Sequence, residues 1–316
     1  MAGGQERILR RRIRSVQSTK KITKAMELIA SSRIVRAQQR VEAARPYSEQ
    51  ITAVIGNLAA AGAGLSSPLL RQRETVDKTA YVVVTADRGL AGAYNTNVIR
   101  AAERRLRGGE GSYALVCVGK KAEGYFRFRK YDIDASFTGF SDQPSYEDAR
   151  TVAAFVTERF ESEEYDRVEV VYTTFLSMGT QRVVTRRFMP LDPSTLEAAA
   201  EGGEGLTADY EFEPGPGQIL DRLLPRYAEA RLFAAMLEAA ASEHAARQRA
   251  MKSATDNAEE LITKLTRVMN RARQDAITTE IMEIVSGAEA MSQDDGEVAD
   301  YLVDTIGQTN LFPERR

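Results

Sequence analysis

From Gln218 to about Ala290, small and apolar residues recur in alternating steps of four and three. The series runs Ala230, Ala234, Leu237, Ala241, His244, Gln248, Met251, Thr255, Ala258, Ile262, Leu265, Met269, Ala272, Ala276 and Thr279. Alternation held that long predicts a coiled-coil helix rather than a helix lying on a globular core. The break EPGPG (Glu213 to Gly217) precedes it; no further Gly occurs until Gly287, and the only Pro is Pro225. At 1.5 Å per residue such a rod spans roughly 110 Å. Its seam is lean, with bulky Leu and Ile concentrated around Leu261 to Val268.

Residues 1–62 predict a second long helix. Ile22, Met26 and Ile29 share a face, and from Ala37 the 4-3 spacing resumes through Val41, Ala44, Ser48, Ile51, Ile55 and Leu58. The seam is expected to slip between Ile29 and Ala37, and Pro46 to bend the rod. Between the rods, over 75–192, the period changes. AYVVVTA (Ala80 to Ala86), YALVCV (Tyr113 to Val118) and RVEVVYTT (Arg167 to Thr174) are β-branched runs of buried-strand length. TQRVVTRRFMP (Thr180 to Pro190) alternates like an edge strand. Helical stretches near 93–107, 120–130 and 146–161 intervene, which implies a mostly parallel sheet. The simplest assembly pairs the terminal helices antiparallel, with the α/β domain inserted between them. Residues 193–217 form a flexible connection.

Composition alters this picture only through its distribution. The net charge is −2, yet Met1 to Arg40 carries nine more basic than acidic residues. No run approaches eighteen apolar residues and no signal peptide opens the chain, so no membrane insertion or export is expected. The single cysteine, Cys117, reads as a small buried hydrophobe, and one His with no Trp leaves little for metal or acid–base chemistry. No cofactor and no catalytic group is expected.

The turn Asp87-Arg-Gly-Leu-Ala-Gly-Ala-Tyr-Asn95 lies between a strand and a helix, where nucleotide folds hold phosphate, but it lacks G-x-G-x-x-G spacing. Gly89 and Gly92 are expected to serve a tight turn instead. The basic N-terminal helix surrounds an apolar face and has no interleaved aromatics. Acidic protein partners therefore explain it better than nucleic acid.

Three stretches resemble one family, the gamma subunit of bacterial F-type ATP synthases. They are Lys21-Ile-Thr-Lys-Ala-Met-Glu-Leu-Ile-Ala-Ser-Ser-Arg33, the turn at 87–95 with Ala91 where Cys is common, and ASEHAARQRAMKSATDNAEELI with NRARQDAITTEIMEIVSGAEA over 241–290. The resemblance extends from Gln5 to Met291. It implies an α/β fold with a long antiparallel coiled coil, the terminal helices forming a shaft around a Rossmann-like α/β foot. It also implies a non-catalytic rotor that couples proton flow to ATP synthesis or hydrolysis, on the cytoplasmic face of the bacterial cell membrane.

The implied partners are the alpha and beta subunits of the catalytic head, the epsilon subunit and the membrane c-ring. Positions matching the shaft's contacts with the catalytic subunits are Met26, Arg247, Arg273, Gln274, Thr278, Glu280 and Glu283. Tyr210 and Glu213 match positions near the ring. The chain departs from the family after Met291, where an acidic tail over 291–316 is expected to be mobile, its short apolar set bracketed by Gly296 and Gly307. The rival expectations are an α/β nucleotide-binding enzyme with a coiled-coil arm, and a basic coiled-coil scaffold for nucleic acid.

Overall fold

The computed structural model describes residues 2–60, 67–109, 111–191, 213 and 215–307. These form α1 (Ala2–Ala60), a 3-10 turn (Pro68–Leu70), β1 (Lys78–Val84), α2 (Tyr94–Gly108), β2 (Ser112–Val118) and α3 (Lys120–Phe128). There follow β3 (Ala135–Phe137), α4 (Tyr146–Glu161), β4 (Arg167–Phe175), β5 (Gln181–Met189) and α5 (Pro216–Gly307). The chain divides into two compact units, one of residues 1–22 with 254–316 and one of residues 23–253.

In the unit of residues 23–253, the strands lie in the order β3-β2-β1-β4-β5. The first four are parallel, and β5 returns antiparallel on β4 at the edge. Strand β3 escapes sequence reading because three residues carry no period. Successive side chains of a strand point to opposite faces, and β1 divides accordingly. Tyr81 and Val83 join Val98, Ile99, Leu115 and Phe126 under α2 and α3. Ala80, Val82 and Val84 join the other face, with α4, Ile51, Ile55 and Leu58 of α1, and Leu220, Leu224 and Leu232 of α5. The base of each terminal helix is therefore a layer of the α/β core. α4 starts on a reciprocal cap: the Ser145 side chain accepts from Asp148 N, and the Asp148 carboxylate accepts from Ser145 N.

Within this unit α1 and α5 run antiparallel, Ala44 and Ser48 sharing a hollow with Ala230 and Phe233, and Ala37 sharing one with Ala240. The expected slip in the α1 seam is corrected here. Protected positions follow an unbroken 3-4 series from Glu6 and Leu9 through Ile13, Val16, Lys20, Thr23, Glu27, Ala30, Ile34 and Ala37 to Leu58. Ile22 and Ile29 are instead 61% and 55% exposed. Lys20, Thr23 and Glu27 occupy the seam there, so a hydrophobicity reading follows the wrong stripe. Pro46 sits inside α1 on its exposed side, one turn after the exposed Glu42, whose carbonyl loses its helical donor there.

In the unit of residues 1–22 with 254–316, Thr255, Ala258 and Leu265 are buried, and Ile262, Met269, Ala272 and Ala276 half-buried. These are the positions of the 4-3 series. Ile13 is buried in the same unit, and Lys20 pairs with Glu259 at 3.0 Å. One boundary differs from expectation: helical backbone continues through Gly296 to Gly307 instead of stopping near Ala290. A lone helical Gly costs only about 1 kcal/mol, and the neighbouring Glu, Ala and Leu favour the helix.

Candidate interaction surface

Beyond Ala276 the protection of α5 ends. Every described side chain from Ile277 to Met291 is exposed. Among them Ile277, Ile281, Met282, Ile284, Val285 and Met291 are 45–74% exposed. A run of this kind has too much apolar surface for a helix meant to stand in water, and such surface marks a site of association. It contains no aromatic side chain, the usual anchor of a tight interface. The geometry therefore suits a partner that surrounds the helix without gripping it. Arg273, Gln274, Thr278, Glu280 and Glu283 are all exposed on or beside this stretch.

Met26 and Arg247 belong to the other unit and are placed differently. Met26 is half-buried on α1. Arg247 is only 8% exposed. Its guanidinium donates to the Glu243 carboxylate at 2.6 Å and to the Gly89 carbonyl at 3.3 Å. Glu243 itself is 1% exposed; burial pushes its carboxyl up, and Arg247 pulls it back. Sequence reasoning missed Glu243, although its signal is present: an i, i+4 acid–base pair among the alanines of SEHAARQRA.

The pair braces the turn at 87–92. Leu90 and Gly92 have positive φ, 62° and 56°, and Leu90 points outward, 63% exposed. For a non-glycine residue that backbone costs roughly 1–2 kcal/mol, so the surrounding contacts must hold it. They do so from several sides. The Asp87 carboxylate accepts from the backbone amides of Lys120, Gly139 and Ser141 at 2.9–3.0 Å. Asn95 accepts from Ala86 N at 2.9 Å, and Tyr94 donates to the Ala239 carbonyl at 3.2 Å. Amides at the carboxyl ends of parallel strands are the donors a nucleotide phosphate uses in such folds. Here they serve an internal carboxylate.

Among the described residues no cluster of His, Cys, Asp and Glu could hold a metal ion, and no helix is long and apolar enough to cross a membrane. Cys117 is buried, its thiol pushed up to about 12 by desolvation. Glu213 is exposed, and Tyr210 lies outside the described residues.

A family model described as ATP synthase matches residues 5–291. The ATP synthase gamma chain of Frankia casuarinae is 52% identical over 296 residues, covering 92% of this chain and 98% of that one. That of Saccharopolyspora erythraea is 48% identical over 305 residues, covering 91% and 98%. Among solved structures, a chain of the Euglena gracilis mitochondrial ATP synthase (OSCP/F1/c-ring, rotational state 3) superposes with a TM-score of 0.65 at 18% identity, covering 99% of both chains. A chain of the Tetrahymena thermophila mitochondrial ATP synthase central stalk and c-ring gives 0.57 at 22% identity, covering 74% of this chain and 99% of that one. At these identities the likeness speaks for the fold alone, whereas the sequence matches decide the family. The chain belongs to the ATP synthase gamma-chain family.

Proposed function

We infer that this chain is the non-catalytic rotor shaft of an F-type ATP synthase, coupling proton flow to ATP synthesis or hydrolysis in neighbouring subunits. The observation that carries this reading is the exposed, apolar, anchor-free stretch of α5 from Ile277 to Met291. A sleeve of alpha and beta subunits is the partner that such a helix fits. One hot-spot contact is worth about 2 kcal/mol or more and would slow release from a single angle roughly thirtyfold; the stretch lacks the aromatic groups that make one. An asymmetric shaft then favours a different conformation of each catalytic subunit in turn, by differential contact.

Arg273, Gln274, Thr278, Glu280 and Glu283 are the exposed candidates for meeting that sleeve. Met26 contributes lower down. Arg247 acts there as a positioning residue: with its guanidinium engaged by Glu243 and Gly89, it fixes the turn that presents Leu90. The α/β domain is the foot that takes the epsilon subunit, and Tyr210 and Glu213 approach the polar loops of the c-ring. The complex holds the chain on the cytoplasmic face of the bacterial membrane as a peripheral subunit.

The test is reconstitution. Purified chain should hydrolyse no ATP alone, and it should raise the turnover of assembled alpha and beta subunits. Appreciable turnover by the chain alone, or unchanged turnover on adding it, overturns the reading.

A further inference from the structure

Segment 138–146, which joins β3 to α4, touches both long helices within the unit of residues 23–253. On α1, Arg33 pairs with the Asp142 carboxylate at 2.8 Å, and Arg40, about two turns on, donates to the Pro144 carbonyl. On α5, Nε2 of the buried His244 lies 3.1 Å from the Asp142 carbonyl. A carbonyl oxygen only accepts, so Nε2 is the donor. Further down α5, Glu229 accepts from the Tyr146 hydroxyl at 2.7 Å, and Phe233 meets the Tyr146 ring edge to face with centroids 5.6 Å apart. Asp142 thus holds one helix by its side chain and the other by its main chain.

The segment is built to be stiff. Its root is tied to the end of β1: the Asp87 carboxylate accepts from Gly139 N and Ser141 N, and Asp87 N donates to Ser141 Oγ at 2.8 Å. Its middle is closed by a turn in which Gln143 N donates to the Phe140 carbonyl at 3.1 Å. Pro144 then fixes one backbone angle, and the reciprocal cap of Ser145 and Asp148 locks the entry to α4. The base of the helices is held differently. There Ile51, Ile55 and Leu58 of α1 and Leu220 and Leu224 of α5 share an apolar core with the sheet, and apolar attraction has no preferred direction. Directional contacts further along both helices resist the twist and tilt that the base alone would permit.

We propose that segment 138–146 is the strut that passes torque between the α/β domain and the two shaft helices, with Asp142, Arg33 and Arg40 as its positioning residues. The inference rests on the rotor reading. Mechanical coupling runs through packed elements joined by hydrogen bonds and ion pairs, and here one short, braced segment joins the sheet to both helices. Without it, a load on the α/β domain would turn the helices in their apolar seat before it turned them with the domain.

The experiment uses the assembled complex with its catalytic subunits fixed to a surface and a probe on the α/β domain through Phe128→Cys. The angular variance of the probe is recorded while a non-hydrolysable nucleotide holds the complex at a pause; that variance is inversely proportional to torsional stiffness. Arg33→Gln with Arg40→Gln should raise it by about 1.5-fold or more, the apolar base carrying the remaining coupling. Unloaded ATP turnover should stay at the wild-type value. Arg33→Lys with Arg40→Lys, which keeps both cations, should restore most of the stiffness. Asp142→Asn keeps the shape of the loop and removes its charge; it should widen the variance in the same direction and decides the matter if the paired Gln variant fails to fold by circular dichroism. Unchanged variance in the folded variants, a Lys pair as loose as the Gln pair, or turnover lost together with stiffness overturns the proposal. A wild-type probe that never turns with ATP overturns the rotor reading and this one together, whereas a turning probe with unaltered variance overturns this one alone.

Discussion

The Glu243 carboxylate and the Arg247 guanidinium, one helical turn apart on α5, meet at 2.6 Å with side chains 1% and 10% exposed. A pair so withdrawn from water gains less than its Coulomb energy suggests, because both ions were desolvated to form it. Breaking it is another matter. Glu243→Ala should destabilise the chain by about 3 kcal/mol, the usual cost of stranding one buried charge. Denaturant unfolding of Glu243→Ala, Arg247→Ala and the double variant should give a strongly coupled cycle. Additive losses would mean that the two side chains act separately.

His244 gives the unfolding free energy a definite pH dependence. Its folded value is held below the ordinary 6.5, first by burial. Below pH 6.5 the unfolded chain therefore binds a proton that the folded chain refuses. The contribution is complete above 6.5 and is lost as pH falls towards the folded value. Wild-type protein should lose more stability than His244→Gln between pH 6.5 and 5. Parallel curves would show that the imidazole is free to protonate in place.

Two glycines separate backbone need from sequence habit. Gly119 has φ +100°, and an added Cβ would lie 2.2 Å from the Thr85 carbonyl oxygen. Gly119→Ala should cost at least about 2 kcal/mol. Gly124, inside α3 with nothing within 4 Å of its Cβ position, should gain roughly 0.5–1 kcal/mol as Ala. Thermal unfolding of the two variants should move in opposite directions.

The α5 seam yields a paired test of stability against motion. Ala276 is half-buried and Thr279 exposed. Leu at Thr279 should leave stability within about 0.5 kcal/mol of wild type yet lower the ATP turnover of the assembled complex. Leu at Ala276 can add apolar contact within the coil. Unchanged turnover in Thr279→Leu would mean that this face meets no close neighbour.

Much of this was legible because periodicity survives in the residues that carry it. The 4-3 series from Thr255 to Ala276 is the protected face of α5, and the β-branched runs around Val82, Val116 and Val170 are buried strands. What escaped reading was set by tertiary context. Ile22 and Ile29 looked like core and are exposed, because Lys20, Thr23 and Glu27 hold the true seam. The role of Asp87 as acceptor for three backbone amides depends on loops 33 and more residues away. No local pattern announces it. The loss of protection after Ala276 depends on where the other helix stops, which spacing within α5 does not record.

The most direct test of the rotor reading follows one molecule turning. Phe128 at the end of α3 is 83% exposed, and Cys117, the single cysteine of the chain, is buried with its thiol pushed up to about 12. A Phe128→Cys variant can therefore carry a probe at one site while Cys117 stays unlabelled. In a complex whose catalytic subunits are fixed to a surface, ATP should drive the probe through continuous rotation in one direction. A probe that stays at a fixed angle while the same complex hydrolyses ATP would contradict the rotor function.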